Sequence, residues 1–178
     1  VDEGWLFSFA LKSSEPIYGL GEKFSSLNKR GQLLNAWNRD ALGVNAEASY
    51  KNMPFAWSPE GWGLFLHTTA RVITGAGYAP WSHRTYITKL LDPNLDLFLI
   101  SAQEPAEILE KYTQLTGRAP LPPLWSYGVW MSRAYYRTAE EILEVADLLR
   151  THNLPCDVLT LDWLAWPQME NQIGRDHV

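Results

Sequence analysis

The stretch LPCDVLTLDWLAW, residues 154–166, decides how this chain is read. It is an apolar run, Asp157 to Leu161, that ends on one carboxylate, Asp162, and then turns aromatic. Upstream, SYGVWMS (126–132) is a second mostly apolar stretch of strand character. Between them TAEEILEVADLLR (138–150) sets Thr138 and Glu141 in capping-box spacing and carries Ile142, Val145, Ala146 and Leu149 on one helical face. Strand, helix and strand in that order, with strands apolar on both faces, predict a right-handed βαβ unit with parallel strands. In such architectures ligands collect at the carboxyl ends of the strands, where the exit loops converge. Asp162 stands at that end of the second strand, and the exit loop of the first, RAYYRT, brings Tyr135 and Tyr136 to the same level. Position alone leaves two readings of Asp162 open: a ligand-binding carboxylate, or a helix N-cap or ion-pair partner.

Working back, GRAPLPPLW carries three prolines, which suppress both helix and ladder, and the domain boundary is placed there, between residues 117 and 118. Before it, EPAEILEKYTQL spaces Ile108, Leu109, Tyr112 and Leu115 as a helix face, with Pro105 suited to its first turn and Gly117 to its end. From Trp5 to about Ile100 the texture is β: WLFSFAL, GWGLFLH, RVITGAG, RTYITKL and LDLFLIS are separated by turn-forming residues. The spacing suits an antiparallel sandwich with one long aperiodic excursion, Gly31 to Pro54. Loops of that length are uncommon unless they work.

Composition narrows the function. The chain has 178 residues, a formal charge of -5 and no cluster of Lys or Arg, which argues against nucleic acid as a partner. No apolar stretch approaches the roughly 20 residues of a membrane span, and VDEGWLFSFA lacks the regions of a signal peptide. The single cysteine, Cys156, excludes an internal disulfide framework and suits a reducing, cytoplasmic compartment; it reads as a small buried side chain. His67, His83, His152 and His177 show no metal-ligand spacing, so no metal or cofactor is expected. Nine Trp, eight Tyr and six Phe are the outlying feature: aromatics at this density build cores, and also platforms for sugar rings.

Five stretches in order, YGLGEKF (18–24), WNRD (37–40), YKNMPF (50–55), YTQLTGRAPLPPLWSYGVWMS (112–132) and LTLDWLAW (159–166), resemble glycoside hydrolase family 31, in particular its bacterial α-xylosidase branch. The resemblance implies a galactose-mutarotase-like β-sandwich over residues 1–117, followed over 118–178 by the start of a (β/α)8 TIM barrel that stops after the second barrel strand. It also implies retaining cleavage of α-glycosidic bonds by two carboxylates about 5 Å apart. In the family both are aspartates on later strands, the nucleophile in a motif like Lys-Thr-Asp-Phe-Gly-Glu; this sequence has no such stretch, so no catalytic residue is assigned and the chain by itself is expected to be inactive.

What carries over is substrate binding. Asp162 matches the aspartate that holds a hydroxyl of the sugar being cleaved, and Asp40 the sandwich-loop aspartate of the neighbouring subsite, with an Asx-type turn through Asn38 and Arg39 as its alternative. Tyr135 matches an aromatic position beside the aglycone, with core packing as its alternative, and Trp166 is a candidate wall. The bulky apolar pair Trp163 and Leu164, where family α-glucosidases carry a second acid, favours xylose over glucose. The expected substrate is an α-linked oligosaccharide, xylose or glucose being released from its non-reducing end. Homo-oligomerisation of the full-length protein stays open. The alternative is a non-catalytic carbohydrate-binding β-sandwich module. Past Trp166, PQMENQIGRDHV departs from the family pattern.

Overall fold

A computed structural model describes residues 4–41 and 47–162, which fall into two units, Val1–Arg118 and Ala119–Val178. Among the described residues of the first unit, eight strands form two antiparallel sheets. One contains β1 (Trp5–Ala10), β3 (Gln32–Ala36), β6 (Val72–Ala76) and β7 (Thr85–Leu90), in the order β1-β7-β6-β3. The other contains β2 (Tyr18–Gly19), β4 (Phe55–Ser58), β5 (Trp62–Leu66) and β8 (Leu97–Ser101), in the order β2-β4-β5-β8.

Alternation along β4 and β5 explains how the layers stack. Ala56 and Leu64 join Leu34, Ala76 and Tyr86 of the other sheet in a buried cluster, so one face of the second sheet meets the first. Phe55 and Phe65, on the opposite face, pack with Ile108 and Tyr112 of the helix α1 (Pro105–Thr116). Tyr112 stacks on Phe55 with ring centroids 3.8 Å apart and meets Phe65 edge-on at 5.3 Å. The helix comes this close because Gly63 lies beneath it: a Cβ there would press on Ile108 and Phe55. The helix buries Ile108 and Tyr112, while Leu109 and Leu115 of the expected face remain exposed.

The long excursion is shorter than the sequence suggests. Its first residues, Gln32 to Ala36, pair in register with Val72 to Ala76 as β3, and Leu34 is the buried member of that strand. With one inward leucine next to an outward one, the segment lacks the alternation that would have marked it.

The second unit opens with a short 3₁₀ turn, Leu124–Tyr127, which takes Ser126 and Tyr127, the first two residues of the stretch read as strand. The strand proper, β9 (Trp130–Arg133), is followed by α2 (Ala139–Thr151) and β10 (Val158–Leu161). β9 and β10 run parallel, as the strand–helix–strand order predicts, with Trp130 opposite Val158 and Arg133 opposite Leu161. Thr138 caps α2 by accepting the Glu141 N–H at 3.2 Å. Leu149 is buried on its inner face, with Ile142, Val145 and Ala146 half-buried beside it. Cys156 is buried, its Sγ 3.3 Å from the Val158 carbonyl. Among the described residues no helix is long and apolar enough to cross a membrane.

Candidate substrate-binding site

The two ends of β10 carry one aspartate each, and the structure gives them different work. Asp157, at the amino end, is a cross-link between strands: its Oδ2 accepts the Val129 N–H at 3.0 Å, and its own N–H reaches the Val129 carbonyl at 2.9 Å. Gly128 makes that link possible, since any Cβ there would fall on the Asp157 carboxylate. Asp162 follows the last paired residue, Leu161, at the carboxyl end. It is half-buried, and Ser132 of β9 donates its hydroxyl to Oδ2 at 3.3 Å.

The exit loop of β9 is held from α2. Glu141 takes the Arg137 N–H at 2.7 Å on one carboxylate oxygen and the Arg133 guanidinium at 3.0 Å on the other. The Arg137 N–H beside it, against the opposing effect of burial and with further help from the positive charges of Arg133 and Arg137, holds the Glu141 carboxyl below the usual carboxylate range. Arg133 in turn lies over the Tyr136 ring, 5.2 Å from its centroid. Of the tyrosine pair, Tyr136 is the buried one and Tyr135 remains half-exposed. Trp163, Leu164 and Trp166 lie outside the described residues.

In the first unit, the three sandwich motifs converge. The turn of YGLGEKF is left-handed over three residues, with Gly19, Leu20 and Gly21 at φ of 97°, 66° and 79°. A leucine costs about 1–2 kcal/mol in that conformation, and burial of Leu20 in the core offsets it. The turn presses Gly21 against the backbone of Lys51 to Met53, where no Cβ fits, and Glu22 N–H bonds the Lys51 carbonyl at 2.8 Å. Lys23 donates to the carbonyls of Asn35 and Glu47, at 2.8 and 3.2 Å, tying together the two ends of the WNRD loop. Burial there lowers its pKa, against the opposing charge of Glu47. Asn38 accepts both the backbone and side-chain N–H of Asn52 at 2.9 Å, and Arg39 N–H reaches the Ser49 carbonyl at 3.2 Å.

Asp40 is exposed on that loop, with the Tyr50 hydroxyl 2.5 Å from its Oδ1 and 3.1 Å from the Ala41 carbonyl. Donation to Asp40 raises the Tyr50 pKa above its usual value. Asp40 is thus positioned by a phenol ten residues away, and the Asn38 oxygen is taken up by Asn52. Tyr50, Asn52, Lys23 and Ser132 were not singled out from sequence. Tyr50 and Asn52 were signalled only as letters of the YKN motif. Beside this loop Trp37, Asn38, Asn52, Pro54 and Thr68 line an open cleft of about 260 Å³. Among the described residues, no three His, Cys, Asp or Glu side chains come together to hold a metal ion.

Comparison with known proteins agrees with this arrangement in both units. Residues 3–73 match the glycosyl hydrolase 31 N-terminal galactose mutarotase-like domain, and residues 119–176 the TIM-barrel domain of glycosyl hydrolases family 31. The α-xylosidase XylQ of Lactiplantibacillus pentosus is 37% identical over 150 residues, which are 83% of this chain and 19% of that protein. An α-xylosidase of Emericella nidulans is 35% identical over 156 residues, 85% of this chain and 19% of its own length. The solved family 31 dextranase of Flavobacterium johnsoniae, in complex with isomaltotriose, superposes with a TM-score of 0.81 at 28% identity, covering 92% of this chain and 20% of that one. The chain thus spans about a fifth of the length of these curated relatives. With matches in both units and in the family's own order, the chain belongs to glycoside hydrolase family 31.

Proposed function

We propose that this chain supplies the sugar-binding part of a retaining α-glycoside hydrolase that releases α-linked xylose or glucose from the non-reducing end of oligosaccharides. The observation that carries the reading is the position of Asp162, directly beyond the carboxyl end of a parallel strand in a TIM-barrel domain, with a neighbouring strand's hydroxyl on one of its oxygens. Barrel enzymes gather substrate at that end. An ionised carboxylate accepts from two adjacent hydroxyls at once, which matches a sugar diol. Holding the ring this way fixes the anomeric carbon for attack by a nucleophile, which the resemblance assigns to a later barrel strand. Asp40, oriented by Tyr50, serves a neighbouring subsite, and half-exposed Tyr135 offers an apolar face to the aglycone. Xylose is preferred, on the strength of Trp163 and Leu164 in the sequence and of the α-xylosidases among the relatives.

The test uses the full-length enzyme and aryl α-glycosides. Asp162→Asn should lower kcat/KM on an aryl α-xyloside about 100-fold, since a hydrogen bond to a charged group is worth about 1.5–3 kcal/mol. A variant within threefold of wild type sinks the assignment of Asp162. A wild-type kcat/KM higher for the α-glucoside than for the α-xyloside reverses the sugar preference and leaves the rest standing.

A second reading, a sandwich that binds sugar without cleaving it, draws on the cleft beside Trp37. An exposed indole and neutral amide and hydroxyl groups line that cleft, a combination suited to sugar C–H faces and hydroxyls.

A further inference from the structure

A side-chain carboxylate turns easily about its last bond, because that torsion is broad and roughly twofold. A carboxylate that must meet two sugar hydroxyls at once therefore needs its plane fixed, to within about 10–20° in a working site. We propose that Ser132 does this: it is a positioning residue for Asp162, and the inference rests on the reading of Asp162 as a sugar-binding group.

The geometry points to it in three steps. Ser132 is the ladder partner of Thr160, and Thr160 shares a strand face with Asp162, two residues on. A hydroxyl on the neighbouring strand at that level lies one column away, and the observed contact with Oδ2 is 3.3 Å. The donor is itself held at both sides. Upstream, Trp130 and Met131 are paired in the ladder; downstream, Arg133 is ion-paired to Glu141, which also holds the Arg137 N–H, and packs over the buried Tyr136 ring. The hydroxyl thus comes from backbone that has little freedom to follow the carboxylate. The Ser132 hydroxyl occupies one of the roughly four lone-pair directions of the carboxylate, and that contact sets the tilt of its plane.

A purely structural serine would behave differently in a mutant cycle. In the full-length enzyme, kcat and KM on an aryl α-xyloside are measured for S132A, S132T, D162N and the S132A/D162N pair. The inference expects S132A to lower kcat/KM about 10-fold, the weak end for a hydrogen bond to a charged group, as suits a contact of 3.3 Å. S132T, which keeps the hydroxyl, should stay within twofold of wild type. In the D162N background the S132A loss should shrink to about threefold or less, because the amide oxygen still accepts from the hydroxyl but without the charge. The inference is overturned by an equal S132A loss in both backgrounds, by an S132T loss as deep as that of S132A, or by a silent S132A beside a crippled D162N. A silent D162N is a separate failure, that of the sugar-binding reading itself.

Discussion

In the first unit β5 buries residues on both of its faces, Leu64 against the opposite sheet and Phe65 against α1, whereas in the second β9 leaves Trp130 55% exposed. The same contrast runs through the neighbouring residues: Leu121, Leu124, Val129 and Leu143 of the second unit are all exposed. Parallel strands of α/β proteins are normally covered on both faces, and a two-stranded ladder is marginal by itself. The two candidate carboxylates therefore rest on unequal supports. Asp40 sits on a loop stapled to a closed sandwich, and Asp162 on a ladder of two described strands. What the described contacts give Asp162 is a hydrogen bond, from Ser132, on a ladder whose neighbouring apolar residues are largely exposed.

The largest expected effect sharpens this contrast directly. Leu64 is 2% exposed between the two sheets, and Leu64→Ala should destabilise the first unit by about 2–5 kcal/mol. Leu143 is 63% exposed on α2, and Leu143→Ala should change the second unit by less than about 0.5 kcal/mol. Hydrogen exchange of β5 and α2 amides in the purified chain reads both numbers. Similar effects at the two positions would erase the distinction between a closed and an open core.

A smaller effect separates the units by pH. Burial pushes the Glu15 carboxyl up, but the Ser58 hydroxyl, the Lys12 N–H at 2.8 Å and the Trp62 indole at 2.7 Å together outweigh it and hold Glu15 below its ordinary value of 4.5. Its folded pKa lies under the unfolded one, so its stabilisation is fully present above about pH 4.5 and is lost as pH falls through the lower, folded value. Glu15→Gln should flatten the acid limb of the first unit's stability. Glu141 shifts the same way but lies at the surface, so Glu141→Gln should flatten the second unit's limb less. Urea midpoints between pH 3 and 7, followed by unit, check the order. A greater response to Glu141→Gln would show that the surface clamp outweighs the buried carboxylate.

How much of this was legible in the sequence differs from element to element, for physical reasons. The βαβ unit was readable because its signals are local: an apolar run of strand length and a Thr and Glu in capping-box spacing. The strands from Trp62 to Ser101 were readable from short β-rich runs between turn formers. β3 was missed because its one buried leucine gains meaning only from pairing with β6, some forty residues on. Ser126 and Tyr127 of SYGVWMS belong to a 3₁₀ turn and the strand starts at Trp130; the approach of Gly128 to Asp157 between them is a contact no window around residue 128 contains. The site followed the same rule. Asp162 was visible by its place at a strand end and Asp40 by its motif, while Ser132, Lys23 and Tyr50 act through partners set by register and loop closure.

The smallest expected effect concerns the stapled loop, and it probes the Asp40 side of the comparison without enzyme activity. Tyr50 and Asp40 are both exposed, so their hydrogen bond adds little to stability, but it leaves a mark on titration. Ionising the phenol removes the donor from Asp40 and sets two negative charges together, so the Tyr50 pKa is raised above 10.0. In Asp40→Asn the like charge is gone, and the Tyr50 pKa should move down toward the ordinary phenol value. A tyrosine ring-carbon NMR titration of wild type and variant measures the shift. If Tyr50 titrates identically in both, the phenol does not hold Asp40 in solution. Asp40 would then lose the one described hydroxyl that orients it, and of the two carboxylates only Asp162 would keep one to set its plane.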